Sequence, residues 1–408
     1  MTTPTIDLTD PELFLGEDAG PIFRQLRHND PVHRHPLPDG GGFWALTRYA
    51  DVETAYNDHT SLSSEGGPML GGSFRSAADP SAGRMLVASD LPRQRHIRQQ
   101  VHRAFSNGML RRIATQVTTL VDTAVRRAVA DGGCDFATDI APELPAGAIM
   151  AMMGVSHTEA HELIGMTRRM IGFRDPVFAD PGEDERIGLA VVQAEIFEFF
   201  AELLADRRKN PKDDLVSMLL QARRNGRPWP EEDILFNCMN VAVGGNETSS
   251  YTACAGILAL HRNPAQKALL QADPELTDGA VNEMLRWSST NAYVMRQAVR
   301  DFKIGGRLIQ DGDTVTLWNA SANFDETRFP DPDTFDITRT PNRHLSFGIG
   351  IHRCIGAMLA QIELGILVRH MTDSRVSFTV SGPVRRLRSN FIRGTTSLPL
   401  TMTATSGP

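Results

Sequence analysis

The chain has 408 residues, of which 41% are hydrophobic and 22% are charged, and its formal net charge is −7 at pH 7. These are ordinary globular values, so they exclude a disordered, collagen-like or coiled-coil protein. The acidic balance also argues against nucleic acid as the main partner, because phosphate contacts need a basic face.

The beginning of the chain shows no targeting signal. The segment MTTPTIDLTDPELF has neither a basic stretch nor an apolar run, and no part of the chain approaches 18 consecutive apolar residues. The four cysteines stand far apart without a CxxC pair, which is typical of a reducing compartment. We therefore expect a cytoplasmic protein that has no membrane among its partners.

The first 90 residues combine short strands with a long loop. Residues 31–57 read as two strands around a glycine triplet, followed by a helix. Residues 61–89 are rich in glycine and serine, yet they include Met69 and Met85. A long loop with apolar side chains is more typical of a lid over an apolar site than of an exposed connection.

Helical patterning begins near residue 90, where Asp90 is a candidate N-cap. Short strands return in VMRQAVRD, FKIGG, TVTLWN, VSFTV and SLPLTM. Strands and helices do not alternate at βαβ spacing, so a Rossmann fold or a β/α barrel is a poor fit. The pattern predicts a mainly α protein with small β-sheets (α+β), with further helices near 108–130, 157–172, 184–209, 231–262, 264–272 and 276–287.

The helix predicted over 231–262 would be about 48 Å long, enough to cross the whole molecule. Its centre contains Gly244 and Gly245, which together cost about 2 kcal/mol relative to alanine. The hydroxyl of the nearby Thr248 can compete for backbone carbonyls. We therefore expect a functional kink at this point.

Several common site motifs are absent or incomplete. The chain contains no GxxxxGK[ST], GxSxG or HExxH segment, which argues against a phosphate loop, a serine hydrolase and a zinc protease. His157 and His161 stand four residues apart and could share a metal ion. The sequence places no third ligand near them and the segment is polar, so we interpret them as a solvated helix face.

The segment over 341–370 carries the most specific chemistry. Phe347, Gly350, Cys354 and Gly356 form F-x-x-G-x-x-x-C-x-G ahead of an apolar helix. Glycines let a large flat cofactor approach the backbone, and the start of a helix stabilises a cysteine thiolate. Such a thiolate can be the axial ligand of an iron ion. On this cysteine alone, a buried structural cysteine in a glycine-rich turn is an equal alternative.

This segment closely resembles the haem-ligating signature of the cytochrome P450 monooxygenases. Glu283 and Arg286 resemble the family's E-x-x-R helix, and Arg339 stands where the family places the third member of a buried network. The GGNET segment at 244–248 resembles the family's oxygen-binding motif. Five such elements occur in the family's order, which implies a single cytochrome P450 haem domain over residues 1–408.

The resemblance implies haem b (iron protoporphyrin IX) as the cofactor and Cys354 as the ligand of its iron. By similarity, Arg98, Arg296 and His344 occupy propionate-binding positions, where the paired donors of arginine suit a carboxylate. A surface ion pair is the alternative for each arginine. Gln94 replaces a histidine found in many bacterial members, and is a weaker candidate. The same resemblance assigns haem contacts to Gly244, Phe347, Gly350 and Gly356.

The resemblance also implies a monooxygenase that inserts one atom of O2 into a C–H bond. Glu247 and Thr248 would supply an acid and a hydroxyl that relay protons in a mostly dry pocket. A helix-surface acid is the alternative for Glu247, and a haem-binding sensor or carrier is the alternative for the whole protein. Electrons would come from a ferredoxin and its reductase, which would dock on a basic face that includes Arg103 and Arg353.

The substrate is expected to be a small molecule or a group held on a carrier protein. Segments such as GRMLVASD and GGNET are similar to secondary-metabolism members, most of all to those that hydroxylate amino acids on a peptidyl carrier protein. A free terpenoid, steroid or polyketide is the main alternative, and epoxidation or oxidative coupling could replace hydroxylation. The expected pocket residues are apolar: Met69, Met85, Val243, Ala292, Val294 and Phe391.

Overall fold

A computed structural model describes residues 6–16, 19–38, 40–70, 80–179, 182, 184–373 and 375–405. Over this part of the chain, the α-helices are α1 (Ala19–Asn29), α2 (Tyr49–Asn57), α3 (Arg93–His102), α4 (Asn107–Ala130), α5 (Phe136–Asp139), α6 (Glu143–Met153), α7 (His157–Ile171), α8 (Glu185–Lys209), α9 (Leu215–Leu220), α10 (Glu231–Arg262), α11 (Pro264–Ala272), α12 (Thr277–Ser288), α13 (Asn319–Ala322) and α14 (Ala357–Met371). The strands are β1 (Val32–Pro36), β2 (Gly42–Leu46), β3 (Leu62–Ser63), β4 (Gly133–Asp135), β5 (Arg223–Arg224), β6 (Arg227–Pro228), β7 (Val294–Ala298), β8 (Phe302–Ile304), β9 (Arg307–Ile309), β10 (Thr314–Leu317), β11 (Val376–Val380), β12 (Arg385–Arg386), β13 (Thr395–Ser397) and β14 (Pro399–Ala404). The prediction of a mainly helical protein with small sheets is confirmed. None of the helices in these ranges is both long enough and apolar enough to cross a membrane.

The largest hydrophobic core lies between the long helices, with α10 at its centre. α10 is buried along most of its length, which fits a helix that crosses the molecule. α4 presents Ile113, Val117 and Val121 to this core at a spacing of four residues, which places them on one face. α4 and α6 approach closely at Gly147, where a Cβ atom would lie 2.7 Å from a methyl group of Val117. These helices form the frame that carries the site.

The largest sheet has the strand order β1-β2-β10-β7-β3. β1 and β2 are antiparallel, whereas β2 and β10 are parallel and β10 pairs with β7 in the antiparallel sense. Side chains alternate along a strand, so Val294 and Arg296 of β7 project to the same face. This face of β7 borders the cavity described below. A second sheet, β11-β14-β4, packs near the C-terminal part of the chain.

The predicted helices agree closely with the observed ones, and each of the six intervals from 108–130 to 276–287 matches a helix to within one residue. The helices that were not predicted are α1, α6 and the short α5, α9 and α13. α1 begins Ala-Gly-Pro, a composition that is typical of a turn. α6 is buried on nearly all sides, so its sequence ELPAGAIMAMM shows little helical periodicity.

One local prediction is wrong, and a second, the kink in α10, stays a prediction. Asp90 is not the N-cap of α3, because Pro92 occupies that position and the Asp90 carboxylate instead accepts hydrogen bonds from Ser63 and Ser64. α10 runs without a break through Gly244, and the Thr248 hydroxyl donates to the Gly244 carbonyl oxygen at 2.7 Å. The expected competition for a carbonyl is therefore present, but it does not interrupt the helix.

The predicted lid over 61–89 is described only in part, since residues 71–79 lie outside the described ranges. On either side of that gap, Pro68, Leu86 and Val87 line the cavity. These parts of the segment therefore belong to the cavity wall, as expected for a lid.

Candidate active site

The cysteine loop, residues 344–354, leads into α14 and is shaped by its glycines. Gly348 and Gly350 have φ angles of 58° and 70°, a region that favours glycine. A Cβ atom at Gly350 would also lie 2.9 Å from the carbonyl oxygen of Tyr56. The loop closes where the N–H of Cys354 donates to the carbonyl oxygen of Phe347 at 2.8 Å. The glycines therefore allow the tight path that presents Cys354.

The Cys354 side chain opens into a cavity between the loop and α10. Surrounding protein atoms raise the pKa of this thiol, whereas the N–H of Gly356 and the guanidinium groups of Arg98 and Arg353 act in the opposite direction. Cys354 precedes Ala357, the first residue of α14, by three positions. The cysteine therefore lies just ahead of the helix, where backbone N–H groups and two positive charges favour an anionic sulfur.

Three separate elements hold the cysteine loop in place. The Gln94 side chain of α3 donates to the carbonyl oxygen of Ile351 at 2.8 Å, and the Ser346 hydroxyl donates to the carbonyl oxygen of Leu285 at 2.7 Å. The Asn323 side chain accepts a hydrogen bond of 2.7 Å from the N–H of Leu345. Gln94 was predicted to contact the cofactor, but the structure makes it a support for the loop, since its amide is used on the backbone.

Arg98 and Arg296 both line the cavity, as predicted. Arg296 is only 7% exposed, and its guanidinium donates to the carbonyl oxygen of Met295 at 2.7 Å. Neither arginine has a carboxylate partner among the described residues. Burial disfavours their charge and lowers the pKa of both. A buried arginine without a counter-ion requires an anion from another source.

The histidine at this site is His352 rather than the predicted His344. His352 lines the cavity, and its Nε2 atom lies 3.1 Å from the Ser64 hydroxyl oxygen. Burial lowers the pKa of His352 to about 3, and the charges of Arg296 and Arg98 act in the same direction. His344 is turned away from the cavity, and its Nδ1 atom accepts a hydrogen bond from the N–H of Ser346. His352 stands two residues before Cys354 in the sequence HRC, and this position could have identified it.

The central part of α10 brings two adjacent glycines to the cavity, Gly244 and Gly245. A Cβ atom added at Gly244 or Gly245 would meet nothing within 4 Å among the described residues. Thr248 follows one turn later and also lines the cavity. The helix therefore leaves room for a flat group at the two glycines and places the Thr248 hydroxyl nearby, with Ser249 and Thr252 also in the cavity lining.

Glu247 does not line this cavity, although it was predicted to act beside Thr248. Successive residues of a helix point about 100° apart, so Glu247 faces α7 instead. It is 1% exposed, and its carboxylate lies 3.5 Å from Nε of Arg168 and 3.4 Å from the hydroxyl of Thr167. Burial raises the pKa of Glu247 to about 7, against the effect of Arg168. At neutral pH this buried carboxyl can therefore hold or release a proton.

Glu283, Arg286 and Arg339 come together as one buried network. The Arg286 guanidinium donates two hydrogen bonds to Glu283, at 2.8 and 2.7 Å, and Nε of Arg339 lies 3.3 Å from the same carboxylate. Arg286 also donates to the carbonyl oxygen of Asn323 at 3.0 Å, and Asn323 holds the cysteine loop. The network thus reaches the loop through Asn323, a residue that no sequence motif singles out.

The cavity joins the cysteine loop, α3, α6, α10 and β7. Of the remaining predicted residues, Phe347, Gly356 and Val294 line it, whereas Gly350 does not because it packs against Tyr56. Most of the predicted pocket residues turn toward the protein core instead. Those outside the lining are Met69, Met85, Val243, Ala292 and Phe391.

Several lining residues were not predicted. Pro145, Ala148, Ile149 and Met152 of α6 form an apolar wall, and this helix itself was missed. Asn240 and Asn291 add polar groups, and Oδ1 of Asn291 is buried without a hydrogen-bond partner. The Ser249 hydroxyl donates to Glu363 at 2.5 Å, and burial raises the pKa of Glu363 to about 7. Asn240 stands four residues before Gly244, which places both on the same face of α10. This spacing could have identified Asn240 from the sequence.

Comparisons with known proteins agree with this geometry. The family model described as Cytochrome P450 matches residues 42–374. The chain is a cytochrome P450. It is 34% identical over 400 residues to Cytochrome P450 NovI of Streptomyces niveus, covering 98% of this chain and 96% of that protein. Linalool 8-monooxygenase of Pseudomonas putida is 32% identical over 399 residues, with coverage of 96% and 97%. The solved structure of P450 OxyD, involved in the biosynthesis of vancomycin-type antibiotics, superposes with a TM-score of 0.87 at 32% identity, covering 98% of this chain and all of that one (100%).

The P450 is a monooxygenase, and its family binds haem b. The chain's own residues fit that group. Haem carries two carboxylates, and three arginines that line the cavity, Arg98, Arg296 and Arg353, form no ion pair with a carboxylate among the described residues. The open surface at Gly244 and Gly245 suits a flat ring, and the Cys354 sulfur faces it across the same cavity. A cysteine sulfur, arginine side chains and a helix with two adjacent glycines are features that suit this cofactor.

Proposed function

We propose that this P450 inserts one oxygen atom from O2 into a C–H bond of a secondary-metabolite intermediate, an amino acid or peptide held on a carrier protein. The observation that carries the substrate proposal is the buried Oδ1 atom of Asn291, which lines the cavity without a partner. An unsatisfied buried acceptor costs about 1–3 kcal/mol. A substrate with an N–H or O–H group would satisfy it, whereas a hydrocarbon would not.

We assign the iron ligand to Cys354 and the two propionate partners to Arg98 and Arg296. When bound there, haem supplies the activation of O2 that the family's oxygen insertion requires. Gly244 would allow close approach of the ring, with Phe347 and Gly356 on the side of the cysteine.

Thr248 and Glu247 would act on protons from two sides of α10. The Thr248 hydroxyl lies in the cavity, where it can donate or accept a hydrogen bond beside the reacting group. Glu247 is held away from the cavity next to Arg168, and its raised pKa suits a proton reservoir. Since the two side chains have no direct hydrogen bond in this structure, a proton would need an intermediate carrier or a rotation of Glu247.

A free lipophilic substrate is the second candidate, and it rests on the apolar wall of α6. Pro145, Ile149 and Met152 face the cavity without polar groups. The relative named linalool 8-monooxygenase also acts, by its name, on a free terpenoid alcohol. A terpenoid alcohol could also donate its hydroxyl hydrogen to Asn291, so the two candidates are separated by whether binding needs the carrier protein.

For electrons we propose a ferredoxin and its reductase as partners. Arg353 and Arg103 are both exposed, and Arg353 neighbours the cysteine. An acidic iron–sulfur protein would be attracted by such charges, which would accelerate association at low salt.

The substrate proposal is tested by titration of the haem-loaded protein, with the spin-state change of the ferric Soret band as the readout. The ligands are a carrier protein loaded with an amino acid, the same amino acid free, and linalool. We expect the carrier-loaded amino acid to bind best, and Asn291→Leu to weaken it by about 5- to 100-fold. Asn210→Ala, an exposed change far from the cavity, should leave it unchanged.

A stronger response to linalool than to every amino acid derivative would refute the carrier-bound substrate. A different result would contradict the proposed oxygen insertion. In that case, ligands would shift the Soret band but none of them would cause consumption of O2. The two results are therefore distinguishable.

A further inference from the structure

A second group of ligating side chains lies outside the cavity, where α6 meets α7. Among the described residues, Glu143, His157 and His161 are the one set of three or more His, Cys, Asp or Glu whose ligand atoms all lie within 4.8 Å of one another. The interpretation of the two histidines as an ordinary solvated face is therefore incomplete. The third group that the sequence did not show is supplied by a different helix.

The positions of these three residues at the starts of α6 and α7 place their side chains side by side. Ser156 caps α7, and a reciprocal hydrogen bond with Glu159 forms a capping box, so the first turn is well defined. His157 and His161 are one turn apart on the same face, with ring centroids 4.4 Å apart. Glu143 is the first residue of α6. Both helices therefore present their ligands from their first two turns.

The two imidazoles approach different oxygens of one carboxylate. Nε2 of His157 lies 2.9 Å from Oε2 of Glu143, and Nε2 of His161 lies 3.1 Å from Oε1. Ligands held about 2.1 Å from one ion lie about 3.0 to 3.4 Å apart for angles between 90° and the tetrahedral value. An ion at the centre therefore requires only small side-chain rotations, with the Nε2 protons displaced.

The environment of the three groups suits an ion that keeps water ligands. The side chain of Glu143 is 13% exposed, whereas those of His157 and His161 are 47% and 34% exposed. Solvent can therefore reach the ion from the histidine side, while the carboxylate is fixed from the protein side. Imidazole nitrogen favours zinc and neighbouring transition metals over calcium or magnesium, which prefer oxygen ligands.

We propose that Glu143, His157 and His161 bind one divalent transition-metal ion, with zinc as the best match to these donors. The ion joins the start of α7 to the start of α6. Farther along, α6 forms the apolar wall of the cavity, and α7 carries Thr167 and Arg168 beside Glu247. The site is structural and separate from the haem cavity, since none of its three residues lines that cavity.

The test is a calorimetric titration of the haem-loaded protein with zinc chloride, in which haem occupies the Cys354 site. Wild type should bind one equivalent. Glu143→Gln and His161→Gln should each weaken binding by about tenfold or more, since each removes a ligand. His28→Gln is the matched control, because His28 is an exposed histidine beside a single glutamate, Glu326, at 3.6 Å, and it should leave zinc binding unchanged.

Three further results decide the proposal. Zinc should raise the melting temperature of wild type but not that of His157→Gln, the most exposed ligand and the variant expected to fold normally. Copper in place of zinc should show two imidazole nitrogens in its electron paramagnetic resonance spectrum. Absence of binding by wild type up to about 100 μM zinc, or equal binding by Glu143→Gln/His157→Gln/His161→Gln, would overturn the site.

Discussion

Replacement of Glu283 by alanine should be among the most destabilising single changes in this P450. The carboxylate accepts two hydrogen bonds from Arg286, one from the side chain of Asn342 at 3.0 Å and one from the N–H of Asp336 at 3.0 Å, and it pairs with Arg339. Glu283 and Arg286 are both 0% exposed. Glu283→Ala would leave the Arg286 charge buried with carbonyl partners alone.

Removal of one partner from a buried ion pair costs about 3–5 kcal/mol, which is a factor of about 10² to 5 × 10³ in the folded-to-unfolded ratio. The measurement is urea unfolding of the haem-loaded protein, followed by far-UV circular dichroism. Tryptophan fluorescence gives a second readout, because Trp287 lies beside Arg286. Asp122→Ala removes the partner of the exposed Arg126 and should cost less than about 1 kcal/mol.

An unfolding free energy for Glu283→Ala within about 1 kcal/mol of that of Asp122→Ala would refute the reasoning. It would mean that the buried charge is hydrated or neutralised without its carboxylate. Glu283→Gln, which keeps the shape and some hydrogen bonds, should fall between the two.

Three further predictions concern the cavity and α10. Cys354→Ala should abolish the red-shifted Soret band of the reduced carbon monoxide complex, and persistence of that band would exclude Cys354 as the ligand. Thr248→Ala should raise peroxide release per electron consumed, measured against product, whereas unchanged coupling would remove Thr248 from proton handling. Burial raises the folded-state pKa of Glu247 from 4.5 to about 7, so its ionisation costs stability as the pH rises through this interval. Glu247→Gln should therefore gain unfolding free energy relative to wild type between about pH 5 and pH 7.5, and an equal difference at both pH values would contradict the raised pKa.

The helices with regular hydrophobic periodicity could be predicted from the sequence, whereas α6 could not. Amphipathic helices such as α4 carry their packing direction in a spacing of three and four residues. α6 is buried on almost all sides, and its apolar residues carry no such direction. Since α6 forms one wall of the cavity, five lining residues were missing from the predicted site.

Individual site residues were predictable where a backbone feature fixes them. Gly244 faces the cavity because α10 leaves an open surface there, and Cys354 follows a loop whose glycines have positive φ angles. The direction in which a helical side chain points was harder to predict from the sequence. Glu247 and Thr248 are neighbours in sequence, but the helical rotation sends one to α7 and the other to the cavity.

Contacts between distant segments were beyond sequence reasoning. Glu143 completes the group with His157 and His161 only because two helices begin side by side. Asn323 joins the Arg286 network to the cysteine loop through its own carbonyl and amide groups. Nothing in the residue pattern near 323 distinguishes it from a surface asparagine.

The three supports of the cysteine loop also determine when it can form during folding. They join residues that are 22, 61 and 257 positions apart in the chain, and the longest is the bond from Gln94 to Ile351. Contacts between such distant segments form only after the intervening chain has been ordered, because loop closure costs entropy first. We therefore expect the sulfur to reach its final position late, on an assembled helical frame. Haem would then bind to a protein that is already mostly folded, and its binding would stabilise the cysteine loop, the last segment to become ordered.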